Sequence, residues 1–188
     1  MPNTLSIAFL EEERPYDGSQ LSSHFAYRNL GLSGDSAVAF VGPCEVRLES
    51  MVDLEDVRAK APIYSPKMLH LLFESFSLDL KSGVLLQRLA ISQMSDELVR
   101  RGVKNLRREG DDLFLAEKKL SVSIATRSPL STLIHWGLNI ETKGTPVPTA
   151  GLKDWSIDPV DFAKATLESL KREYDDVFMA TYKVRGVP

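Results

Sequence analysis

The sequence predicts one α/β domain of the α+β type, in which a mixed, largely antiparallel sheet is backed by helices. Three observations lead there. Its 188 residues suit a single domain with a core of its own, since domains commonly run to ~100–200 residues. Two segments, one from Gly83 and one from Pro159, repeat their apolar residues at helical spacing. Between them, from Lys104 to Ile140, the period changes to two, the pattern of strands with one face in a core.

The elements follow in order. Thr4 to Leu10 reads as a strand. From Asp17, "DGSQLSSHFAYRNLG" carries Leu21, Phe25 and Arg28 or Leu30 near helical spacing, and Gly31 stops it. "SAVAFVG", Ser36 to Gly42, is apolar enough for a buried strand. From Pro43 to Pro66 the pattern degrades into a long functional or connecting loop, with at most a short helix near Leu54 to Lys60. "KMLHLLFESFSL" resumes as a strand. "GVLLQRLAISQMSDELVRRG" then places Leu85, Leu86, Leu89, Ile91, Met94, Leu98 and Val99 on a broad helical stripe that Gly102 ends. Four β runs follow, "VKNLRRE", "DDLFLAE", "KKLSVSIAT" and "LSTLIHWGLNI", for which a β-meander is the economical reading. "ETKGTPVPTAGLKDWS" reads as loop. Asp158 caps and Pro159 starts a last helix, with Phe162, Leu167, Leu170, Tyr174, Val177 and Phe178 on one face.

Composition narrows the function classes. A formal charge of -3 offers no basic footprint for a nucleic acid, and the 43% hydrophobic and 26% charged fractions are those of ordinary globular proteins. The single cysteine, Cys44, excludes an internal disulfide, and no Cys/His spacing suits zinc. The opening "MPNTLSIAFLEEERP" lacks the basic flank and apolar length of a signal peptide, and no stretch approaches the ~18 apolar residues of a membrane span. A cytoplasmic protein without nucleic-acid or membrane partners is expected. No Ser-His-Asp order, Walker loop, dinucleotide fingerprint or metal-ligand cluster is present.

The segment "LLQRLAISQMSDELVRRGVKNLRREGDDLFLAEKKLSVSI" resembles the run in biotin and lipoate protein ligases in which a helix precedes a Lys-Trp-Pro-Asn-Asp-Leu turn and a Lys-Leu-Ala-Gly strand. By that resemblance Arg108 stands for the first lysine, Asp111 for the asparagine, Asp112 for the aspartate and Lys119 for the ligand-binding lysine. Downstream "IHWGLNI" is similar to the ligases' Ile-Gly-Ile-Gly-Leu-Asn-Val strand, which puts Gly137 and Asn139 on matching positions. The likeness covers roughly Phe73 to Ile140. The whole chain also resembles an uncharacterised family, domain of unknown function 366, whose members share the "GPC" and "GLNI" segments. The resemblance implies the class II synthetase-like fold and a cleft over the strands that hold Arg108, Lys119 and Asn139.

The departures bear on chemistry. Where the ligases carry a Gly-Arg-Gly-Arg-type loop that covers the acyl-adenylate, this chain has "GPCEVRLESMVDLEDVRAK", with one glycine and Arg47, Arg58 and Lys60 as its cations. Glu109 and Gly110 replace the Trp and Pro of the turn, and Val122 replaces the small glycine. These changes argue against adenylate formation.

The candidate residues each carry two readings. Lys119 projects opposite Leu120, Val122 and Ile124, either into a cleft, where it binds a carboxylate or phosphoryl oxygen, or into solvent as an edge lysine. Asp111 and Asp112 hold a ligand or serve an ordinary turn, and Asp112 can pair with Lys119 across a hairpin. Of Arg107 and Arg108, which alternate in direction, Arg108 is assigned to the cleft. Cys44 is a nucleophile for an acyl donor, as in related cysteine-dependent octanoyltransferases, or a buried small hydrophobe. His24 and His135 are bases or structural groups, and Trp155 is a lid or a loop anchor. The expected site is therefore Lys119 and Cys44 as catalytic candidates, with Arg108, Asp112, Lys119, Gly137 and Asn139 around a small carboxylate, acyl or nucleotide-type ligand. The cofactor is left open and no metal is expected. An acyltransferase or ligase-like enzyme with an acyl-carrier partner is one function; a non-catalytic binding or assembly protein, homodimeric through exposed strand edges, is the other.

Overall fold

The computed structural model describes residues 4–187, so the first three residues of the segment weighed as a leader lie outside it. A five-stranded sheet runs in the order β1 (Ser6–Leu10), β2 (Ser36–Val46), β3 (Ile63–Ser75), β8 (Thr132–Glu141), β7 (Ser121–Arg127). β1 is parallel to β2 and the other neighbours are antiparallel, which makes the sheet mixed and largely antiparallel, as expected. A second, antiparallel sheet joins β4 (Leu106–Glu109), β5 (Asp112–Leu115) and β6 (Lys118–Lys119). Four helices accompany them among the described residues: α1 (Phe25–Leu30), α2 (Leu54–Ala59), α3 (Leu80–Arg100) and α4 (Pro159–Tyr182).

The central strands are buried on both faces, which is why they read as near-continuous apolar runs. Leu69, Leu71 and Phe73 of β3 join Ile134, Trp136 and Leu138 of β8 against α3 and α4. Met68 and Leu72 point the other way, toward Val38, Phe40 and the N-terminal segment with Tyr16, Phe25 and Ala26. Side-chain caps set both long helices: Asp79 accepts from the Ser82 amide and Asp158 from that of Asp161, with Pro159 in the first turn of α4. The stripes are narrower than their spacing suggests. Leu85 (63% exposed) and Val99 (56%) on α3, and Val177 (47%) on α4, face outward.

Four expectations change. The segment from Asp17 is helical only over Phe25–Leu30, because the Asp17 carboxylate captures the amide and hydroxyl of Ser19 and starts a turn in place of a helix. The loop expected from Pro43 to Pro66 shrinks to residues 47–62, since β2 continues past a bulge at Pro43 and β3 begins at Ile63. The meander is two pieces: "KKLSVSIAT" divides at Leu120, Lys118–Lys119 pairing with β5 and Ser121–Arg127 with β8. A 3-10 turn, Leu152–Trp155, interrupts the loop before α4.

A buried carboxylate ties the sheet to α4. Asp35, just before β2, accepts from the hydroxyls of Ser75 (2.9 Å), Ser77 (3.1 Å) and Tyr174 (2.5 Å) and from the Phe76 amide (2.7 Å). Each donor offsets part of the cost of burying the charge. Tyr174→Phe removes the α4 donor while keeping the ring, so its unfolding free energy in urea falls by about 1.5–3 kcal/mol. A variant as stable as the parent refutes the role given to this contact.

Candidate functional site

The sheet face away from α3 and α4 gathers the polar chemistry. Its construction begins at Gly42, where a side chain would meet the carbonyl oxygen of Arg14 at 1.8 Å. The bare position lets residues 14–16 lie along the bulged end of β2: Arg14 N–H donates to Val41 O, Tyr16 N–H to Pro43 O, and Glu45 N–H to Tyr16 O, each at 2.9 Å. Tyr16 is thereby pinned flat over two histidines, its ring 4.0 Å from that of His135 at 15° and 4.9 Å from that of His70. "GPC" is thus the dock for this tyrosine.

The histidines sit on adjacent strands, β3 and β8, with their side chains on this face. The Nδ1 of His70 lies 3.1 Å from the Nε2 of His135, and the Nε2 of His70 lies 3.3 Å from Gly42 O. Burial keeps both rings neutral, pulling His70 down to about 3 and His135 well below the usual imidazole range, where the neighbouring His70 also contributes.

In front of His135 opens a cavity of about 280 Å³, walled by Tyr16, Leu21, Val46, Ile63, Val122 and Ile124 and roofed by Ser50–Asp53, Glu55 and Asp56 from the segment between β2 and β3. Asp111, Asp112, Ser123 and Lys119 close its far side. A second cavity of about 370 Å³ adjoins it and is more apolar, with Ala61, Pro62, Met68, Pro146 and Val147 in its wall and Asn139 at its floor. Asp56, Ile63, Lys119 and Val122 line both.

Lys119 stands at the junction because its backbone is held on two sides. Its N–H donates to Pro148 O (2.9 Å), and its carbonyl accepts from the Ala150 amide (3.0 Å). The Asn139 side-chain amide donates to the Lys119 and Leu120 carbonyls (3.4 and 3.3 Å), and the Asn139 backbone N–H to Leu120 O (3.0 Å). Asn139 thus positions the lysine as well as lining the second cavity. The ammonium reaches Asp112 Oδ2 at 2.7 Å, the cross-hairpin pair that is one of the readings open in the sequence. Burial raises the Asp112 carboxyl and Lys119 opposes that rise; burial likewise raises Asp56.

Other candidates are separated from this junction. Arg108 is exposed, donates to Gly110 O at 2.6 Å and lines neither cavity. Arg107 lies 4.9 Å over the Phe114 ring. Cys44 is fully buried and borders a different hollow, with Glu45 and Arg47; burial pushes its thiol up to about 12, so at neutral pH it is protonated and a poor nucleophile. Gly137 lines neither cavity; an added Cβ would come 2.4 Å from Met68 Sδ, so the glycine serves close packing inside the sheet. Asp111 lines the first cavity but is not the turn-stabilising acceptor of backbone amides expected: its carboxylate accepts from the side chains of Gln87 (2.8 Å) and Ser123 (3.2 Å), with Arg88 3.4 Å away, and so ties the turn to α3 and β7. His24 precedes α1 with its ring against Phe76, and Trp155 packs on the core.

Sequence reasoning missed Tyr16, His70, Asp53 and Asp56. The alternation that turns His135 away from the Ile134–Trp136 face was visible, and so was the same pattern at His70. Their meeting depends on strand register, which alternation does not supply.

Comparison with known proteins adds the following. The sequence profile of the family described as domain of unknown function (DUF366) matches residues 5–185. An uncharacterized protein of Methanocaldococcus jannaschii is 36% identical over 163 residues, which span 84% of this chain and 73% of that one. A solved protein of unknown function from Pyrococcus horikoshi superposes with a TM-score of 0.93 at 40% identity, covering 98% of this chain and 100% of the other. A bipartite lipoate protein ligase solved with its E2 lipoyl domain, from Thermoplasma acidophilum, has a TM-score of 0.54 at 15% identity, with 92% of each chain covered. The last of these shows a shared fold, that of the lipoate and biotin ligases.

Removing the Lys119 ammonium leaves burial to act on Asp112 unopposed. A carboxyl whose folded pKa lies above its unfolded value binds its proton more tightly in the folded state, so stability falls as pH rises through that interval. Lys119→Ala therefore costs about 1–3 kcal/mol near neutral pH, where Asp112 is charged and has lost its partner. The deficit shrinks as pH is lowered into the carboxylate range. Urea unfolding at several pH values measures it, and a deficit independent of pH contradicts the pairing.

Proposed function

We propose that this chain, which belongs to the family described as domain of unknown function 366, binds a small carboxyl or acyl compound whose head group meets Lys119 and whose apolar body fills the second cavity. The observation that carries the reading is the position of Lys119, a cation at the junction of a polar hollow and an apolar one. Such pockets orient a ligand by one or two polar groups and gain affinity from the apolar remainder. The wall of Pro62, Met68, Val122 and Val147 suits an alkyl chain or a flat ring system. Asn139 acts indirectly, by holding the backbone that carries the lysine.

The fold shared with a ligase solved alongside its E2 lipoyl domain supports an acyl-carrier domain as the partner and acyl transfer as the reaction, if the site is catalytic. A second reading, a binding protein without chemistry, is favoured by the lining of the first cavity. There Asp53, Glu55, Asp56 and Asp112 face one ammonium, that of Lys119, which Asp112 already engages, while Asp111 is paired with Arg88 outside the lining. A triphosphate entering this hollow would meet carboxylates, so ATP-dependent activation at this position is disfavoured.

Calorimetric titration with octanoate, lipoate and biotin tests the site. At least one binds, and Lys119→Ala weakens it about tenfold or more, equivalent to about 1.4 kcal/mol. Affinity untouched by Lys119→Ala, or no heat from any of the three, overturns the assignment.

A further inference from the structure

Two features of the first cavity agree with each other. One is the direction of the histidine relay. The carbonyl of Gly42 can only accept, so the Nε2 of His70 carries a proton. His70 is neutral, which makes its Nδ1 a bare acceptor, and the proton in the 3.1 Å contact belongs to His135 Nε2. His135 is neutral as well, and its remaining nitrogen, Nδ1, consequently bears a lone pair and no proton. This ring is 4% exposed and lines the cavity, and its Nδ1 has no hydrogen-bond partner among the described residues. An acceptor of fixed tautomer in a cavity wall calls for a donor.

The other feature is charge. Asp53 and Asp56 in the roof, both half-buried, belong to a lining in which carboxylates outnumber the lysine. Asp53 receives the amides of Glu55 and Asp56, which leaves its charge in place, and no ion pair within 4.0 Å joins Asp56 to a cation among the described residues. An acceptor-only ring and an anionic roof select the same kind of visitor, one that brings N–H donors and positive charge.

Resting on the reading that the cleft holds a small molecule, we infer that the portion of that ligand in front of His135 is an ammonium, with His135 Nδ1 as its fixed acceptor and Asp53 and Asp56 as its counter-charge. The ligand class is then an amino compound with an apolar chain and a carboxyl group: amine in the first cavity, carboxyl at Lys119, chain in the second. His135 is a binding residue in this scheme, and Tyr16 and His70 position it.

Calorimetry with octanoate, 2-aminooctanoate and octylamine separates the two proposals. The amine subsite makes 2-aminooctanoate about tenfold or more tighter than octanoate, and Asp56→Asn reduces that lead. Equal affinities for the acid and the amino acid overturn the amine subsite and leave the Lys119 reading standing. Binding of octylamine with no binding of octanoate, lipoate or biotin supports the amine subsite and overturns the Lys119 reading. Silence from octanoate, 2-aminooctanoate and octylamine overturns the amine subsite, and silence from lipoate and biotin as well overturns both. Because His135→Phe also strips His70 of its donor and risks the fold, the intact protein supplies a second measurement. With ¹⁵N-labelled histidine, the Nδ1 resonance of His135 moves from its pyridine-like position toward the pyrrole-like range when 2-aminooctanoate saturates the site, while Nε2 stays. A bound amine that leaves Nδ1 unmoved overturns the inference.

Discussion

The site depends on the way one strand run changes partners at Leu120. A continuous strand from Lys118 to Arg127 would keep the pleat unbroken and commit every side chain to the alternation of a single sheet. The chain instead leaves the small sheet at Lys119 and enters the large one at Ser121. Both backbone groups of Lys119 are paired outside its own sheet, to Pro148 and Ala150. Asn139 completes the crossing by donating to two successive carbonyls. A backbone paired this completely has little freedom, so the lysine is delivered to the junction of two cavities with its stem already ordered.

The opposite wall obeys the same requirement that buried polar groups be paired. Two histidines in the middle of a sheet are costly unless each nitrogen is used, and the relay to Gly42 uses three of the four. Glycine at position 42 serves twice: the missing side chain admits the Arg14 backbone, which brings Tyr16 over the rings, and its carbonyl terminates the relay. Tyr16, pinned by backbone bonds and stacked on both imidazoles, shields that polar pair from water without offering it a further donor. The fourth nitrogen, Nδ1 of His135, makes no hydrogen bond among the described residues, and its residue lines the cavity.

Electrostatics then bears on what the hollow can admit. A loop that neutralises an adenylate needs exposed amides and guanidiniums, whereas the segment between β2 and β3 here presents Asp53, Glu55 and Asp56 to the hollow. One ammonium, already paired at 2.7 Å, does not reverse that sign. The scaffold is shared with the ligases, and in this chain the segment that covers the hollow lines it with carboxylates.

The sequence by itself determined the two long helices, the last with its Asp158 cap and Pro159 start, and the apolar central strands, because each rests on local periodicity or on residues a few positions apart. The mixed sheet came from the family likeness, and the pairing of Lys119 with Asp112 was one of two open readings. It also carried the family likeness in "GPC" and "GLNI". What only the tertiary structure decided was which side chains meet: Tyr16 on His70 and His135, the roof carboxylates in the cavity that Lys119 lines, Asn139 bonded to the strand crossing, and the separation of Arg108 and Cys44 from Lys119. These contacts join segments many tens of residues apart through strand register, a bulge at Pro43 and a break at Leu120. A shift of one residue in register turns a side chain to the opposite face, and no local pattern states which register the folded sheet adopts.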